Sequence, residues 1–251
     1  MDATTRGCTM AASVTSRALA LLSAFDDRHR QLTLTELASR AGLPVPTAHR
    51  LVGELVRWRA LERLPGSGRY VIGRRIWDLG LLAPVQTGLR QVASPFLQDV
   101  YAATLATVHL AVRDGLEVLY VDRLSGHASV PVVSEIGSRL PLHSTGVGKV
   151  LLAYAPAEVQ RQVLAGPPRI TPYTITQPGR LAAQLERVRR EGYAQTVEEM
   201  SLGGCSVAVP VRREADVVAS IGLVVPSLER DRPRLVTALR VAAEGITRSL
   251  R

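Results

Sequence analysis

Aromatic residues and cysteines are both scarce in this sequence. Phe, Trp and Tyr make up only 4% of the chain, although 46% of its residues are hydrophobic. Any core must therefore be built mainly from Leu, Val, Ile and Ala. The two cysteines, Cys8 and Cys205, lie far apart in the chain. Such a pair does not indicate the disulfide framework that holds small secreted domains together.

Long apolar runs are absent as well. No stretch reaches the roughly 18 consecutive apolar residues that a membrane-spanning helix needs. Residues 1–9 are polar and include Asp2, which is unlike a secretory signal peptide. We therefore expect a soluble, cytoplasmic protein that does not insert into a membrane.

Negative charge is in deficit. Lys and Arg number 31 against 22 Asp and Glu, Arg far outnumbers Lys, the net charge is +9, and the pI is about 10.5. This surplus favours an anionic partner, either nucleic acid or an anionic membrane surface. An Arg-rich source proteome would explain the same surplus, so charge alone does not choose the partner. The 251 residues suffice for two domains with separate cores.

A pattern typical of short helices joined by a tight turn lies near the N-terminus. Ser16 is the predicted cap of a first helix, and Thr33 and Glu36 have capping-box spacing at the start of a second. Gly42 suits the end of that helix, and Pro46 suits the first turn of a third. One face of the third helix carries the apolar residues Ala48, Leu51, Val52, Leu55 and Val56. The sequence therefore predicts a helix-turn-helix.

The residues after Trp58 predict a β-hairpin wing. Segments 60–64 and 69–72 can form strands, and 65–68 has the Pro and Gly of a turn. Trp58 itself is expected to pack under the preceding helix.

Five polar residues of this region are candidate DNA contacts. Thr47, His49 and Arg50 stand near the N-terminus of the third helix, where a recognition helix meets base edges. Arg63 and Arg69 flank the wing turn and are expected to contact backbone phosphates. The alternative for each is a solvated surface side chain or a contact within the domain. We predict double-stranded DNA as the partner.

From about residue 107 onward the pattern changes to strands mixed with helices. Segments 107–113 and 117–122 predict two strands around the turn Asp114-Gly115. Further predicted strands are 130–133, 206–211 and 217–225. Predicted helices are 74–82, which we interpret as a linker, then 86–103, 147–154, 156–164, 180–192 and 232–250. This mixture favours an α+β fold over a parallel βαβ array.

Three motifs, in this order, resemble the IclR family of bacterial transcription regulators. They are LTELA at 34–38 with TAHRL at 47–51, LPLHSTGVGK at 140–149, and REGY at 190–193 followed by EE at 198–199 and VAVP at 207–210. The resemblance extends from Val14 to the C-terminal helix. It implies an α+β protein with an N-terminal winged helix-turn-helix, a linker helix and a C-terminal GAF-like effector-binding domain. It also implies a homodimer or dimer of dimers with no catalytic activity. We further predict a palindromic operator and no cofactor.

The domain boundaries follow from these predictions. We expect a flexible tail at 1–13, the DNA-binding domain at 14–73, the linker helix at 74–86 and the effector-binding domain at 87–251.

The segment Gly146-Val147-Gly148-Lys149 resembles a phosphate-binding loop, but its spacing fails. The position five residues before Gly148 is His143 rather than Gly, and Val150 replaces the Ser or Thr that would bind magnesium. A helix N-terminus that offers free N–H groups to a carboxylate is the better interpretation. The alternative is an ordinary helix start.

The family resemblance implies an effector pocket at this loop. Carried over to this sequence, its positions are Gly146 and Val147, then Thr196, and Ser206 with Cys205 beside it. The family often has an acidic residue where this chain has Thr196 or Val197. A less negative pocket suits an anion, so we predict a small organic acid, a carboxylate, as the effector. Five apolar residues, which could equally be plain core, could line its other side: Leu124, Pro131, Val133, Leu140 and Leu142.

Three other functions are weaker. Glu198 and Glu199 could bind a metal with His109 or His143, but they lack ligand spacing, so no metal is predicted. An enzyme would need a nucleophile with a base, and the neighbours His143 and Ser144 have no evident acid partner. A membrane-binding scaffold would need a basic amphipathic helix with large apolar anchors, and we find none.

Overall fold

The computed structural model describes residues 13–26, 28–82, 84–126 and 133–250. These residues form two compact units, Met1–Pro84 and Val85–Arg251. The tail predicted for 1–13 lies outside the described residues except for Ser13, as do Cys8, Pro131 and positions 130–132 of a predicted strand.

The N-terminal unit is a winged helix-turn-helix. Its elements are α1 (Val14–Leu22), α2 (Leu34–Arg40), α3 (Val45–Arg57), β1 (Leu61–Arg63), β2 (Tyr70–Ile72) and α4 (Arg74–Leu81). Strands β1 and β2 are antiparallel and form the wing, in which Leu61 pairs with Ile72. Aliphatic side chains from α1, α2 and α3, such as Leu21, Leu37 and Leu51, form its core. The core is aliphatic because the sequence offers few aromatic residues.

Capping sets where the first two helices begin. Thr33 Oγ1 accepts from the N–H of Glu36, and the Glu36 carboxylate accepts from the N–H of Thr33, which completes the predicted capping box. The predicted cap of α1 was wrong, because Ser13 Oγ, not Ser16 Oγ, caps this helix. Ser13 accepts from the N–H of Ser16, so Ser16 lies within the first turn.

Trp58 does not pack under α3. Its side chain is 46% exposed, and the guanidinium of Arg75 lies 4.8 Å from the ring centroid. A cation over an indole face stabilises this exposed arrangement by about 0.5–1 kcal/mol. The buried residues of α3 are Ala48, Leu51 and Val52, whereas Trp58 is the residue at which the helix ends.

The C-terminal unit is an antiparallel sheet covered by helices. Its elements are α5 (Pro84–Thr104), β3 (Thr107–Asp114), β4 (Glu117–Leu124), β5 (Arg139–Pro141), α6 (Gly146–Ala153), α7 (Ala157–Leu164), α8 (Pro178–Glu191), β6 (Ala194–Val197), β7 (Cys205–Arg213), β8 (Asp216–Val225) and α9 (Arg232–Ser249). The strand order is β5-β4-β3-β8-β7-β6.

Each face of this sheet carries its own core. On one face, β7 and β8 side chains such as Val207 and Ile221 pack with Leu97 of α5 and Leu239 of α9. On the other face, Ala208 packs with α6 and α8. Successive strand residues point to opposite faces, so adjacent residues of β7 serve different cores. This α+β arrangement is GAF-like, as expected.

Two short strands, β5 and β6, were not predicted. They have three and four residues, too few for an alternating pattern to be recognised in the sequence. None of the described helices is both long and apolar enough to cross a membrane.

Candidate functional site: an effector cavity and a DNA-binding face

A cavity of about 470 Å³, counting its open mouth, lies in the C-terminal unit at the N-terminus of α6. Strands β3 to β8, helix α6 with its cap, and the segments around 133 and 200 all contribute residues that line it: His109, Tyr120, Val133, Ser134, Leu140, Thr145, Gly146, Val147, Thr196, Met200, Ser201, Gly204, Ser206, Val207, Gly222, Leu223 and Val224.

Helix α6 presents its first turn to this cavity. Thr145 caps the helix, and its Oγ1 accepts from the N–H of Gly148 at 3.1 Å. The N–H groups of Gly146 and Val147 have no hydrogen-bond partner among the described residues. Every residue of α6 is buried, so these two N–H groups are donors sheltered from bulk water. A helix N-terminus of this kind attracts an anion.

Glycines let α6 approach the sheet closely. A Cβ on Gly146 would lie 2.6 Å from Ser206 Oγ, and one on Gly222 would lie 2.9 Å from Val147 Cγ1. Both distances are shorter than a van der Waals contact. The glycines therefore hold the N-terminus of α6 against β7 and β8.

The structure brings Thr196 and Ser206 together, as cavity-lining neighbours. They are paired across β6 and β7, and their hydroxyl oxygens lie 2.6 Å apart. Thr196 is only 4% exposed. Cys205, also predicted for the pocket, does not join them. It lies on the opposite face of the sheet in the core with α5 and α9, and its Sγ donates to the carbonyl of Pro226 at 3.6 Å.

The predicted apolar side of the pocket is only partly present. Val133 and Leu140 line the cavity. Leu142 is fully buried in the core beneath α6, and Leu124 packs against the other core.

Several cavity residues were missed in the sequence, among them His109, Tyr120 and Ser134. His109 Nε2 lies 2.8 Å from Ser134 Oγ, and the rings of His109 and Tyr120 meet edge to face with centroids 5.0 Å apart. Burial, with a smaller contribution from the charge of Arg123, lowers the pKa of His109 to about 3. Its ring is therefore neutral near pH 7. His109 and Tyr120 lie in β3 and β4, so the alternation of side chains between the two faces of a strand could have assigned each of them to a face. Ser134 lies outside any strand and offered no such pattern.

No charged side chain is found among the described residues that line the cavity. Burial also raises the pKa of the Tyr120 hydroxyl, which keeps that group neutral. The cavity therefore offers hydroxyl groups, a neutral imidazole and two backbone N–H donors. Such a site can hold one anionic group but provides no side-chain cation for a second.

Lys149, in the rejected phosphate-loop motif, is a buried residue. Its Nζ donates to Glu199 Oε1 at 2.5 Å and to Gln184 Oε1 at 2.6 Å. Burial lowers the pKa of Lys149 and raises that of Glu199, while each charge opposes the shift of the other. The lysine is thus occupied by protein groups.

The residues weighed for metal binding or catalysis are also engaged elsewhere. His143 Nε2 lies 2.9 Å from the carbonyl oxygen of Pro168, and Ser144 Oγ donates to Met200 Sδ at 3.3 Å. His143 and Ser144 therefore do not form a nucleophile–base pair here. Within the described part of the chain, no three metal-ligating side chains cluster together.

In the N-terminal unit, α3 presents its polar face outward. His49 and Arg50 are exposed and Thr47 is half-buried, opposite the buried Ala48, Leu51 and Val52. This places hydrogen-bonding groups along the N-terminal half of a helix of 13 residues, as a recognition helix requires.

The wing arginines differ from each other. Arg63 is exposed at the end of β1. Arg69 reaches back into the domain, where its Nη1 donates to the carbonyl of Gln31 at 3.1 Å and lies 3.4 Å from Glu36 Oε2. Arg63 is therefore the freer of the two to meet a phosphate.

Comparison with known families supports both halves of this description. The IclR helix-turn-helix domain matches residues 14–65. The family described as "Bacterial transcriptional regulator IclR C-terminal" matches residues 83–248.

Individual relatives extend over most of the chain. The glycerol operon regulatory protein of Streptomyces coelicolor is 34% identical, over 93% of this chain and 94% of its own. The transcriptional regulator XynR of Escherichia coli is 32% identical, over 82% of this chain and 83% of its own.

Solved structures agree. An IclR homologue from Microbacterium hydrocarbonoxydans, complexed with 4-hydroxybenzoate, is 36% identical with a TM-score of 0.91, covering 95% of this chain and 99% of its own. The Thermotoga maritima IclR has a TM-score of 0.77 at 29% identity, with coverages of 94% and 98%. The chain therefore belongs to the IclR family of bacterial transcriptional regulators, with a DNA-binding helix-turn-helix and a C-terminal effector-binding domain.

Proposed function

We propose that a small organic acid, bound in the cavity at the N-terminus of α6, changes the affinity of this regulator for its operator. The N–H groups of Gly146 and Val147, for which the described residues provide no hydrogen-bond acceptor, carry this proposal. Backbone donors at a helix N-terminus suit a carboxylate, and the hydroxyls of Thr196 and Ser206 add further hydrogen-bonding groups nearby.

The acid is a monocarboxylate. A second carboxylate would be buried without a cation, which is costly, because no charged side chain lines the described cavity. The complex of the M. hydrocarbonoxydans homologue with 4-hydroxybenzoate supports this class, since that ligand carries one carboxylate on an apolar ring. Apolar residues such as Leu140 and Val224 suit such a ring.

Helix α3 and the wing bind the operator. Thr47, His49 and Arg50 enter the major groove, and Arg63 contacts phosphate. Arg69 joins them once it leaves its contacts with Gln31 and Glu36. The protein acts as a homodimer or a dimer of dimers, so that two heads match the half-sites of a palindromic operator.

A regulator of this kind has two conformations that differ in operator affinity. The acid changes operator affinity only if it binds one of these conformations more tightly than the other. The coupling is reciprocal, so operator DNA changes the affinity for the acid by the same factor. This reciprocity separates regulation from coincidental binding at two independent sites.

Fluorescence anisotropy with DNA from upstream of the protein's own gene tests the proposal. We expect binding at low salt, a severalfold change in operator affinity on adding 4-hydroxybenzoate or benzoate, and no change with terephthalate, a dicarboxylate of similar size. An equal response to terephthalate would contradict the single-anion site. Absence of any operator binding at low salt would refute the proposal that α3 and the wing bind the operator.

A further inference from the structure

Lys149 is the only lysine in the sequence, and its side chain is 1% exposed. Everywhere else the chain places its positive side-chain charge on arginine. The Lys149 ammonium donates to Glu199 and Gln184, and the side chain of Glu199 is itself only 5% exposed. The result is a buried ion pair between α6 and the segment that follows β6.

Glu199 belongs to the segment 198–204 between β6 and β7. This segment, here called the cavity wall, contributes Met200, Ser201 and Gly204 to the effector cavity. It has no regular secondary structure, and Glu198 has a φ of +53°. Such a conformation is strained for a residue other than glycine and persists only when its surroundings hold it.

Several polar contacts hold the cavity wall. Thr171 Oγ1 donates to the carbonyl of Glu198 at 2.7 Å, and Thr174 Oγ1 donates to that of Glu199 at 2.8 Å. Both contacts bind the backbone of the wall to the segment before α8. Lys149–Glu199 differs from them because it joins the wall to α6, the helix whose first turn faces the same cavity.

Stability alone does not explain this pair. Burying two charges costs desolvation energy that their attraction barely offsets, and apolar replacements of similar volume are often as stable. In some proteins a buried polar or ionic group is kept because it defines a unique geometry. Lys149 lies three residues after Gly146, so the ammonium and the free N–H groups share one short, fully buried helix.

We propose that Lys149 and Glu199 are positioning residues for the effector, and that their ion pair fastens the cavity wall to α6. The two sides of the cavity, the α6 N-terminus and Met200–Ser201–Gly204, are then held at one fixed separation. This inference rests on the proposed function of the cavity as an acid-binding site. Neither residue lines the cavity together with the ligand-facing groups, so both act through what they hold in place.

The decisive variant removes both charges at once. Lys149→Met alone leaves a buried carboxylate without its partner and is expected to destabilise the domain strongly. Lys149→Met combined with Glu199→Leu leaves no buried charge and is expected to fold with a melting temperature near that of the wild type. The matched control is Glu158→Ala with Arg161→Ala, which removes an exposed ion pair of α7.

Hydrogen–deuterium exchange on the whole chain measures how firmly the cavity wall is held, as the rate of amide exchange at residues 198–204. In the double variant we expect faster exchange at residues 198–204 and unchanged exchange in β3 and β8, whereas the α7 control should match the wild type throughout. Unchanged exchange at 198–204 in a folded double variant would overturn the proposal. If the double variant does not fold, Glu199→Gln replaces it and must also exchange faster at 198–204.

Calorimetry with 4-hydroxybenzoate tests the second part of the proposal, the effect of the ion pair on the affinity for the acid. We expect the double variant to bind this acid about tenfold more weakly, as loosened sites do, while free-protein affinity for operator DNA is unchanged. A loosened wall with unchanged acid affinity would refute the positioning role. If the wild type binds no acid at all, the proposed function fails, and exchange at 198–204 still decides whether the pair fastens the wall.

Discussion

At residue 146 a methyl group would collide with the hydroxyl of Ser206. Because an alanine Cβ would lie 2.6 Å from Ser206 Oγ, Gly146→Ala must displace this hydroxyl, which lines the cavity. We expect 4-hydroxybenzoate to bind about tenfold more weakly, equivalent to roughly 1.4 kcal/mol, as measured by calorimetry. Gly179→Ala, in the first turn of α8, is the matched control, since nothing lies within 4 Å of its Cβ. Equal binding by both variants would place the acid elsewhere.

His109 makes stability depend on pH. Burial lowers its pKa from 6.5 to about 3 in the native protein, so between these values the unfolded chain binds more protons. Stability therefore falls as the pH drops below about 6.5. We expect His109→Gln to lose less stability than the wild type between pH 7.5 and 5.5, measured as the urea midpoint by circular dichroism. His49→Gln, at an exposed site, should behave like the wild type, and a wild-type-like slope in His109→Gln would contradict this account.

The sequence predicted the positions of some cavity residues correctly and of others incorrectly. Gly146, Thr196 and Ser206 were expected at the pocket from family resemblance, and all three line the cavity. Cys205 was expected beside Ser206, but adjacent strand residues point to opposite faces, so it lies in the other core. The Lys149–Glu199 pair was not predicted, because only folding brings residues 50 positions apart into contact.

At the scale of the element, the capping box of α2 is a testable stabiliser. Thr33→Ala removes the side chain that accepts from the N–H of Glu36, so we expect a loss of about 1 kcal/mol in the free energy of unfolding of the N-terminal unit. Urea denaturation followed by tryptophan fluorescence measures it, since Trp58 and Trp77 both lie in this unit. Thr35→Ala, two residues later and exposed, should be neutral. Equal losses in both variants would mean that capping is not the cause.

Elements were predictable where local chemistry sets them. The capping box, the proline-containing turn and the glycine-rich wing turn act within a few residues, and the structure has all three. Strands β5 and β6 are short strands at the two edges of the sheet, and each forms through pairing with one neighbouring strand, which its own three or four residues do not record. Register likewise comes from the assembled sheet, as in the pairing of Thr196 with Ser206.

At the scale of the whole molecule, base contacts and phosphate contacts should affect operator binding in different ways: base contacts set the preference for one sequence, and phosphate contacts set the dependence on salt. We expect Arg63→Ala to weaken binding evenly across DNA sequences and to lower the slope of log affinity against log salt by about one per DNA-binding head. Arg50→Ala should instead reduce the preference for the operator over unrelated DNA. Fluorescence anisotropy over a salt series measures both effects. Arg161→Ala, on α7 of the other unit, should change neither, and identical effects of the first two variants would contradict the assigned roles.

The absence of surface lysine has a consequence for chemical control of this regulator. Every cation on α3 and in the wing is an arginine, so acetylation of lysine side chains cannot neutralise the positive charge of these two elements. The one lysine that an acylating reagent could modify is sealed between α6 and residues 198–204. The rate at which Lys149 is acylated therefore measures how often the contact between α6 and residues 198–204 opens.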